Sequence, residues 1–185
     1  GGDAFRYLKK HKISENDLFF LSIQLLCGLK CLADQKILHR DVKLENMLLS
    51  NNGETIVISD FGFSKEESEG GMTHCGTYTT MAPEVYQHSN YTFKVDVYSL
   101  GVCLYCLLAG ESYYKKKDSI NAIKLTSGSN LSKPKGQEDF PDDLLDLLRH
   151  MTEFDPIARW TIYECFRHNF FCRKSSEVRS QKIQL

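Results

Sequence analysis

The feature that most constrains this chain is the run LHRDVKLENMLL at residues 38–49. It places Asp41, Lys43 and Asn46 on one short stretch, directly before an apolar segment that can anchor the stretch in a core. A carboxylate, an ammonium group and an amide oxygen that converge can accept a proton, neutralise negative charge and hold a metal ion. The run therefore predicts a reactive loop that is held at its ends.

Two further motifs follow in a fixed order. Asp60, Phe61 and Gly62 come after the strand-like residues 55–59, and Ala82, Pro83 and Glu84 come later. A lone HRD string is more often a surface cluster of ion pairs, but three motifs in this order are a strong signal. Residues 2–171 resemble the C-terminal lobe of a serine/threonine protein kinase, most of all the calcium/calmodulin-dependent group.

The resemblance implies a role for each residue that matches the catalytic motifs. Asp41 would be the catalytic base that accepts the proton of the substrate hydroxyl, and Lys43 would neutralise the γ-phosphate of ATP. Asn46 and Asp60 would hold the Mg²⁺ ions. Thr77 would bridge Asp41 and Lys43. The HRDVK form of the loop implies Ser/Thr substrates rather than tyrosine.

Other matches imply scaffold and regulatory roles. Glu84 and Arg159 would form a buried ion pair, and Asp96 would tie down the backbone of the catalytic loop. Arg40 precedes the catalytic aspartate, which implies that a phosphate on Thr73 orders the segment between residues 62 and 80. The alternative is that Thr73 is an unmodified loop residue.

Substrate preference can be predicted in part. Asp3 aligns with an acidic position near the ATP ribose, and Glu45 with one that contacts a basic residue ahead of the phosphoacceptor. A further acidic family position is Cys106 here, so the preference for basic substrates should be weak. The segment at residues 76–80 also lacks the family's proline and tyrosine, which alters the pocket for the residue after the phosphoacceptor.

The expected fold is mainly α: a protein-kinase-like C-terminal lobe with a small β-hairpin next to the catalytic loop. An Asn-Gly pair at Asn52 and Gly53, between two apolar runs, predicts the hairpin. Ser14 and Asp17 predict the start of a long helix with a leucine stripe. Further helices are expected at residues 95–109, 120–126, 141–153 and 162–166. The predicted lobe covers residues 1–172, and residues 173–185 form a polar tail that we expect to be disordered.

The amino-acid composition limits the cellular locations and the classes of partner that are expected for this chain. The chain has 185 residues, 42% of them hydrophobic, and a formal net charge of −1, so charge gives no argument for nucleic acid or an anionic membrane as partner. The seven cysteines are odd in number and scattered, which favours a reducing cytoplasmic or nuclear location. No secretory signal is recognised, and the apolar run at residues 95–109 is too short to span a bilayer.

One expected part of a kinase is absent from the sequence. No G-x-G-x-x-G occurs, and the chain starts at Gly1 rather than at a methionine. We therefore expect the N-terminal lobe to be missing from this chain and these residues alone to be inactive. Three functions stay open: an active Ser/Thr kinase of which this is one lobe, a catalytically inactive truncated binding module, and, more remotely, a small-molecule phosphotransferase.

Overall fold

Helices are the main regular structure of the described residues, and the strands are short. The computed structural model describes residues 2–11, 13–66, 78–109 and 127–172. In chain order the elements are β1 (Gly2–Asp3), α1 (Ala4–Leu8), α2 (Glu15–Asp34), β2 (Ile37–Leu38), β3 (Met47–Leu49), β4 (Ile56–Ile58), β5 (Lys65–Glu66), α3 (Pro83–Tyr86), α4 (Lys94–Ala109), α5 (Asp142–Met151) and α6 (Ile162–Cys165). Single 3₁₀ turns lie at Leu44–Asn46 and Gly128–Asn130.

Helix α2 begins where its capping residues predict. The Asp17 N–H donates to Ser14 Oγ (3.1 Å), and Ser14 Oγ donates to the Asp17 carboxylate (2.7 Å). Its leucine stripe is buried as far as Leu29, whereas Leu32 is only partly buried. Length and composition alone would also allow α2 to cross a membrane. Its buried face instead packs against α4 and β4, as in the core helix of a folded domain.

Helix α4 is buried almost all round, which explains its nearly unbroken apolar sequence. It lies between α2 and α5 and contacts both. At Gly101 the backbone of α4 comes so close to α5 that a Cβ there would lie 2.8 Å from Met151 Cβ. Helix α5 presents its leucines to this contact. The predicted helices over residues 95–109, 141–153 and 162–166 are therefore present, with ends that differ by up to two residues.

The predicted hairpin is present beside the loop at residues 39–46. Strands β3 and β4 pair antiparallel with Met47 opposite Ile58 and Leu49 opposite Ile56. The connecting loop turns at Gly53, whose φ of +74° is strained for residues that carry a Cβ. Strand β1 adds to the free edge of β3, which gives a three-stranded sheet in the order β1-β3-β4.

Several elements were not predicted. They are the short helices α1 and α3, strand β1 and the pairing of β2 with β5. Two-residue strands carry no period that a sequence pattern can reveal, and tertiary contacts decide them. The predicted helix at 120–126, most of the segment between 62 and 80, and the tail at 173–185 lie outside the described residues.

The cysteine thiols divide into accessible and buried sets. Cys27 and Cys31 are exposed on α2, and Cys172, beyond α6, is also exposed. Burial raises the pKa of Cys165 to about 12 and also raises the pKa of Cys103 well above its ordinary value. We expect iodoacetamide at pH 8 to label the exposed thiols in the native protein and Cys165 only after unfolding, because about one Cys165 in ten thousand is then a thiolate. Peptide mass spectrometry measures this, and native labelling of Cys165 at the rate of Cys27 would contradict it.

Candidate active site

The loop that follows β2 is held to α4 by one buried carboxylate. Asp96 accepts hydrogen bonds from the backbone N–H groups of His39 (2.8 Å) and Arg40 (2.9 Å). Burial raises the pKa of Asp96, and the two backbone N–H donors oppose that rise. Arg40 has a φ of +67°, a backbone conformation that side chains other than glycine rarely adopt. The contact with Asp96 supports this turn just before Asp41.

His39 links the loop to the strand that leads to Asp60. Its ring is fully buried, its Nδ1 accepts from the Asp41 backbone N–H (3.3 Å), and its Nε2 faces the Ser59 carbonyl oxygen (3.1 Å). Because Nδ1 acts as an acceptor, the proton lies on Nε2, which donates to Ser59. The sequence by itself indicates no separate role for His39. Only the contact with Ser59, 20 residues along the chain, reveals its function as a bridge.

Asp41, Lys43 and Asn46 meet as the spacing predicts. Lys43 Nζ lies 2.6 Å from Asp41 Oδ2, and Asn46 Nδ2 donates to the same oxygen (3.1 Å) and to the Asp41 carbonyl (2.9 Å). Asp41 and Asn46 are buried, while Lys43 is partly exposed. The Asp41 carboxylate is thus fixed in position by two donors at the surface of the core.

The hairpin brings Asp60 to the same place. Ser59 N–H and Ser59 Oγ both donate to the Asn46 carbonyl oxygen, at 2.8 Å and 3.0 Å. The next residue, Asp60, is exposed, has a φ of +65° and accepts from the Gly62 N–H (3.2 Å). Asn46 and Asp60 therefore flank one end of the hairpin, at the mouth of the site that contains Asp41.

The donor chemistry at this mouth fits Mg²⁺. Asn46 directs its amide nitrogen to Asp41, which orients its amide oxygen away from Asp41, and Asp60 offers an exposed carboxylate. Mg²⁺ prefers oxygen ligands and is often held by one or two protein groups, with water and phosphate oxygens as its other ligands. Within the described ranges no three His, Cys, Asp or Glu side chains form a metal cluster. A site of one amide and one carboxylate requires none.

Arg40 lies beside the start of the segment predicted to be regulatory. Its Nε donates to the Phe63 carbonyl (2.6 Å), and its Nη1 donates to the Tyr91 hydroxyl (3.3 Å). Tyr91 was not recognised from the sequence as a neighbour of this arginine. Thr73 and Thr77 lie outside the described residues, so their predicted roles stay predictions.

Glu84 and Arg159 form a two-pronged ion pair in the interior. The Arg159 guanidinium donates to both carboxylate oxygens of Glu84, at 2.6 Å and 2.9 Å. It also donates to the carbonyls of Glu153 and Lys94, and its guanidinium carbon lies 4.8 Å from the Tyr98 ring centroid. The pair joins α3 to the segment before α6.

Glu45, predicted to contact the substrate, and Asp3, predicted to lie near the ATP ribose, occupy different surroundings. Glu45 is exposed on the 3₁₀ turn between Lys43 and Asn46. Asp3 caps α1 by accepting from the Arg6 N–H (2.8 Å) and pairs across the sheet with Leu48. Leu48 and its partner Val57 are 44% and 52% exposed, and they form an apolar surface beside Asn46 that the sequence analysis missed. Leu48 and Val57 are the middle residues of the two hairpin strands. The alternation of faces along a strand was the sequence signal that could have placed them on the outer face.

Comparison with known proteins agrees with this geometry. The family model described as the protein kinase domain matches residues 1–171. Similar proteins include the serine/threonine-protein kinase ATG1b of Arabidopsis thaliana, 34% identical over 95% of this chain and 26% of its own length. The calcium/calmodulin-dependent protein kinase type 1 of Caenorhabditis elegans is 36% identical over 91% of this chain and 50% of its own. The meiosis-specific serine/threonine-protein kinase mek1 of Schizosaccharomyces pombe is 33% identical over 96% of this chain and 42% of its own.

The chain thus spans between a quarter and a half of the length of these curated relatives. The similarity extends to relatives of more than one serine/threonine kinase group and covers the site and the helical core together. The match over 171 residues exceeds nine tenths of the sequence. This chain belongs to the protein kinase domain family.

Proposed function

We propose that this chain carries the catalytic loop of a protein kinase that transfers the ATP γ-phosphate to serine or threonine hydroxyls of proteins. The observation that carries the proposal is the convergence of Asp41, Lys43 and Asn46 at the end of the hairpin that leads to Asp60. Phosphoryl transfer depends on positioning and charge stabilisation, and these four side chains supply groups for both.

Each side chain has a defined task in this proposal. Asp41 orients the substrate hydroxyl and accepts its proton, because its carboxylate lies fixed at the mouth of the site. Lys43 is partly exposed and offers its ammonium group to the phosphate. Asn46 and Asp60 would hold Mg²⁺, which supplies charge neutralisation of the phosphate groups. His39 and Asp96 are positioning residues that fix the backbone of the loop at residues 39–41.

The apolar surface next to the metal ligands suits the nucleotide base. Leu48 and Val57 expose about half of their surface on the outer face of the hairpin, adjacent to Asn46. Asp3 is the cross-strand partner of Leu48, which supports its assignment to the ribose end of ATP. A substitution of Leu48 by aspartate should therefore weaken ATP binding.

Glu45 supports a preference for basic residues ahead of the phosphoacceptor, because its carboxylate is exposed on the catalytic loop. Cys106 is half-buried on α4 and contributes no charge at a position where the family resemblance implies an acid. A positional peptide library should show modest enrichment of Arg or Lys before the acceptor. A library with no enrichment would refute this preference.

We further propose that the chain supplies the C-terminal lobe, and that the N-terminal lobe is a separate segment of the full-length protein. The support is that these 185 residues contain no G-x-G-x-x-G loop, which kinases use to cover the ATP phosphates. Without that loop the same fold could serve as a catalytically inactive binding module. The free cysteines support a cytoplasmic or nuclear location.

The test is phosphate transfer from γ-labelled ATP to a serine/threonine peptide mixture, followed by phosphoamino-acid analysis. Full-length protein should label serine or threonine, and residues 1–185 alone should not. Transfer by residues 1–185 alone would contradict the assignment of this chain to one lobe. No transfer by the full-length protein, under conditions where it binds ATP, would favour the binding module.

Phosphorylation of Thr73 should control activity. Arg40 lies beside the start of the segment and donates to a backbone carbonyl and to Tyr91, contacts that a phosphate could replace. Full-length Thr73→Ala cannot carry the phosphate, so the charge-assisted hydrogen bonds between phosphate and Arg40 are lost. Activity should therefore fall about tenfold or more. The measurement is kcat before and after phosphatase treatment. Wild-type activity in this variant would exclude the switch, and Thr92→Ala on the loop before α4 is a matched control.

A further inference from the structure

Two exposed thiols lie one turn apart on α2, on the side away from its buried leucines. Cys27 and Cys31 are both exposed, whereas Leu25, Leu26 and Leu29 are almost completely buried. Residues four positions apart share one face of a helix, with about 5–6 Å between their Cβ atoms. The two thiols are therefore neighbours on the surface of a helix that the core holds in place.

The spacing of the pair does not suit a disulfide between the two thiols. A disulfide requires its two Cβ atoms to lie about 3.5–4.5 Å apart, closer than one turn of a regular helix allows. Both cysteines are free in the structure. An atom inserted between the two sulfurs would span the additional distance. The pair is therefore suited to a single bridging ion.

A lysine on the same stretch of α2 supplies positive charge beside the pair. Lys30 Nζ donates to the Asp34 carboxylate (2.6 Å) and lies 5.4 Å from the centroid of the Tyr163 ring. Tyr163, on α6, donates to the same carboxylate (2.6 Å), which fixes the position of Asp34. The hydrogen bond to Asp34 is the main cause of the raised pKa of Lys30, and the charge of Cys31 contributes to it. The Lys30 ammonium group is thus in electrostatic contact with the pair.

The number and type of ligands favour one class of ion. Thiolates are soft ligands that select Cu(I), Zn²⁺ and iron–sulfur clusters. Structural Zn²⁺ takes four protein ligands, but in the parts of the chain that the structure describes no three His, Cys, Asp or Glu side chains could hold a metal ion together. Cu(I) is a soft monovalent ion that two sulfur ligands can bind in a line. Two thiolates around Cu(I) leave one excess negative charge, which the ammonium group of Lys30 can offset.

We propose that Cys27 and Cys31 bind one Cu(I) ion, which bridges two turns of α2. Each thiol releases its proton to solvent and bonds to the ion through sulfur, so two protons leave and the oxidation state of copper is unchanged. Because the ion binds the folded helix and holds two of its turns together, it should stabilise the native protein. None of these groups takes part in the proposed phosphate transfer, so this inference does not depend on that proposal.

The test is a competition for Cu(I) between the reduced full-length protein and bicinchoninate, carried out without oxygen. The absorbance of the Cu(I)–bicinchoninate complex reports the ion that the protein has not taken up. The wild type should take up one more Cu(I) than Cys27→Ser with Cys31→Ser. Either single substitution should weaken binding at this site more than about a hundredfold, because even groups that only support a metal ligand contribute about 10–100-fold. Lys30→Met should weaken it about two- to fivefold, as expected for one exposed charge.

Thiol labelling assigns the ion to these two residues. One equivalent of Cu(I) should protect Cys27 and Cys31 together from iodoacetamide, while Cys172, which is also exposed, stays reactive. Cys172→Ser is the matched control and should take up Cu(I) as the wild type does. Cu(I) should raise the midpoint of thermal unfolding of the wild type but not that of the double variant. Serine is close to cysteine in size and both sites are exposed, so without Cu(I) the variants should unfold at the midpoint of the wild type.

Four results would overturn the proposal. The first is equal Cu(I) uptake by the wild type and the double variant, and the second is loss of uptake in Cys172→Ser. The third is Zn²⁺ binding at the pair as tight as that of Cu(I). The fourth is a dimer in sedimentation that forms only with Cu(I), which would place the ion between two copies. Asp41→Asn should bind Cu(I) as the wild type does, so a failure of the kinase proposal is distinguishable from a failure of this one.

Discussion

Asp41→Asn in the full-length protein should lower kcat by about 10²–10⁴-fold, the range that a positioned general base contributes. Asparagine keeps an oxygen that can accept from Lys43 and Asn46, so the loop should retain its shape while the proton acceptor is lost. The Km for ATP should change little, because the side chain acts on the substrate hydroxyl. Steady-state transfer to a serine peptide measures both constants.

Glu45→Gln is the matched control for this substitution. It neutralises an acid four residues away on the same loop, but Glu45 is exposed and has no part in proton transfer. Its expected effect is a higher Km for peptides with an upstream arginine and an unchanged kcat. The thermal midpoints of both variants should equal that of the wild type. A wild-type kcat in Asp41→Asn would refute the proposal that this chain carries the catalytic loop of a kinase.

Arg159→Met should lower the free energy of unfolding by about 3–5 kcal/mol, the usual cost of leaving a buried charge without its partner. The substitution leaves the Glu84 carboxylate buried and also removes the donors to the carbonyls of Glu153 and Lys94. For a domain of this size the midpoint of thermal unfolding should fall by about 10 °C. Urea denaturation followed by circular dichroism gives the free energy.

The pair can be separated from its surroundings by a double-mutant cycle. Glu84→Gln alone should destabilise less than Arg159→Met, since a neutral amide still accepts from the guanidinium. The double variant should lose less free energy of unfolding than the two single variants lose together. The difference should be about 1 kcal/mol or more. Lys30→Met, which breaks the exposed pair with Asp34, should leave the midpoint nearly unchanged. Additive losses in the cycle would show that the ion pair itself stabilises nothing.

The comparison of sequence and structure is most informative at the hairpin. An Asn-Gly pair between apolar runs predicted it, and the register then placed Asn46 and Asp60 at one end. The same reasoning could not find β1, because a two-residue strand forms only where β3 already offers a free edge. Nor could it find the pocket of about 550 Å³ that forms where α1, α2 and the hairpin loop meet.

Local chemistry determined what the sequence predicted correctly. Residues 41, 43 and 46 are so close along the chain that any fixed loop brings their side chains together, and the periodicity of α2 and α4 reflects burial directly. Tertiary structure alone decided the contacts across long separations for which the residues carry no pattern. His39 with Ser59, Arg40 with Tyr91 and Gln24 with Glu54 are such contacts. The physical reason is that a hydrogen bond between distant residues depends on how the elements pack, whereas a motif needs only its own stretch of backbone.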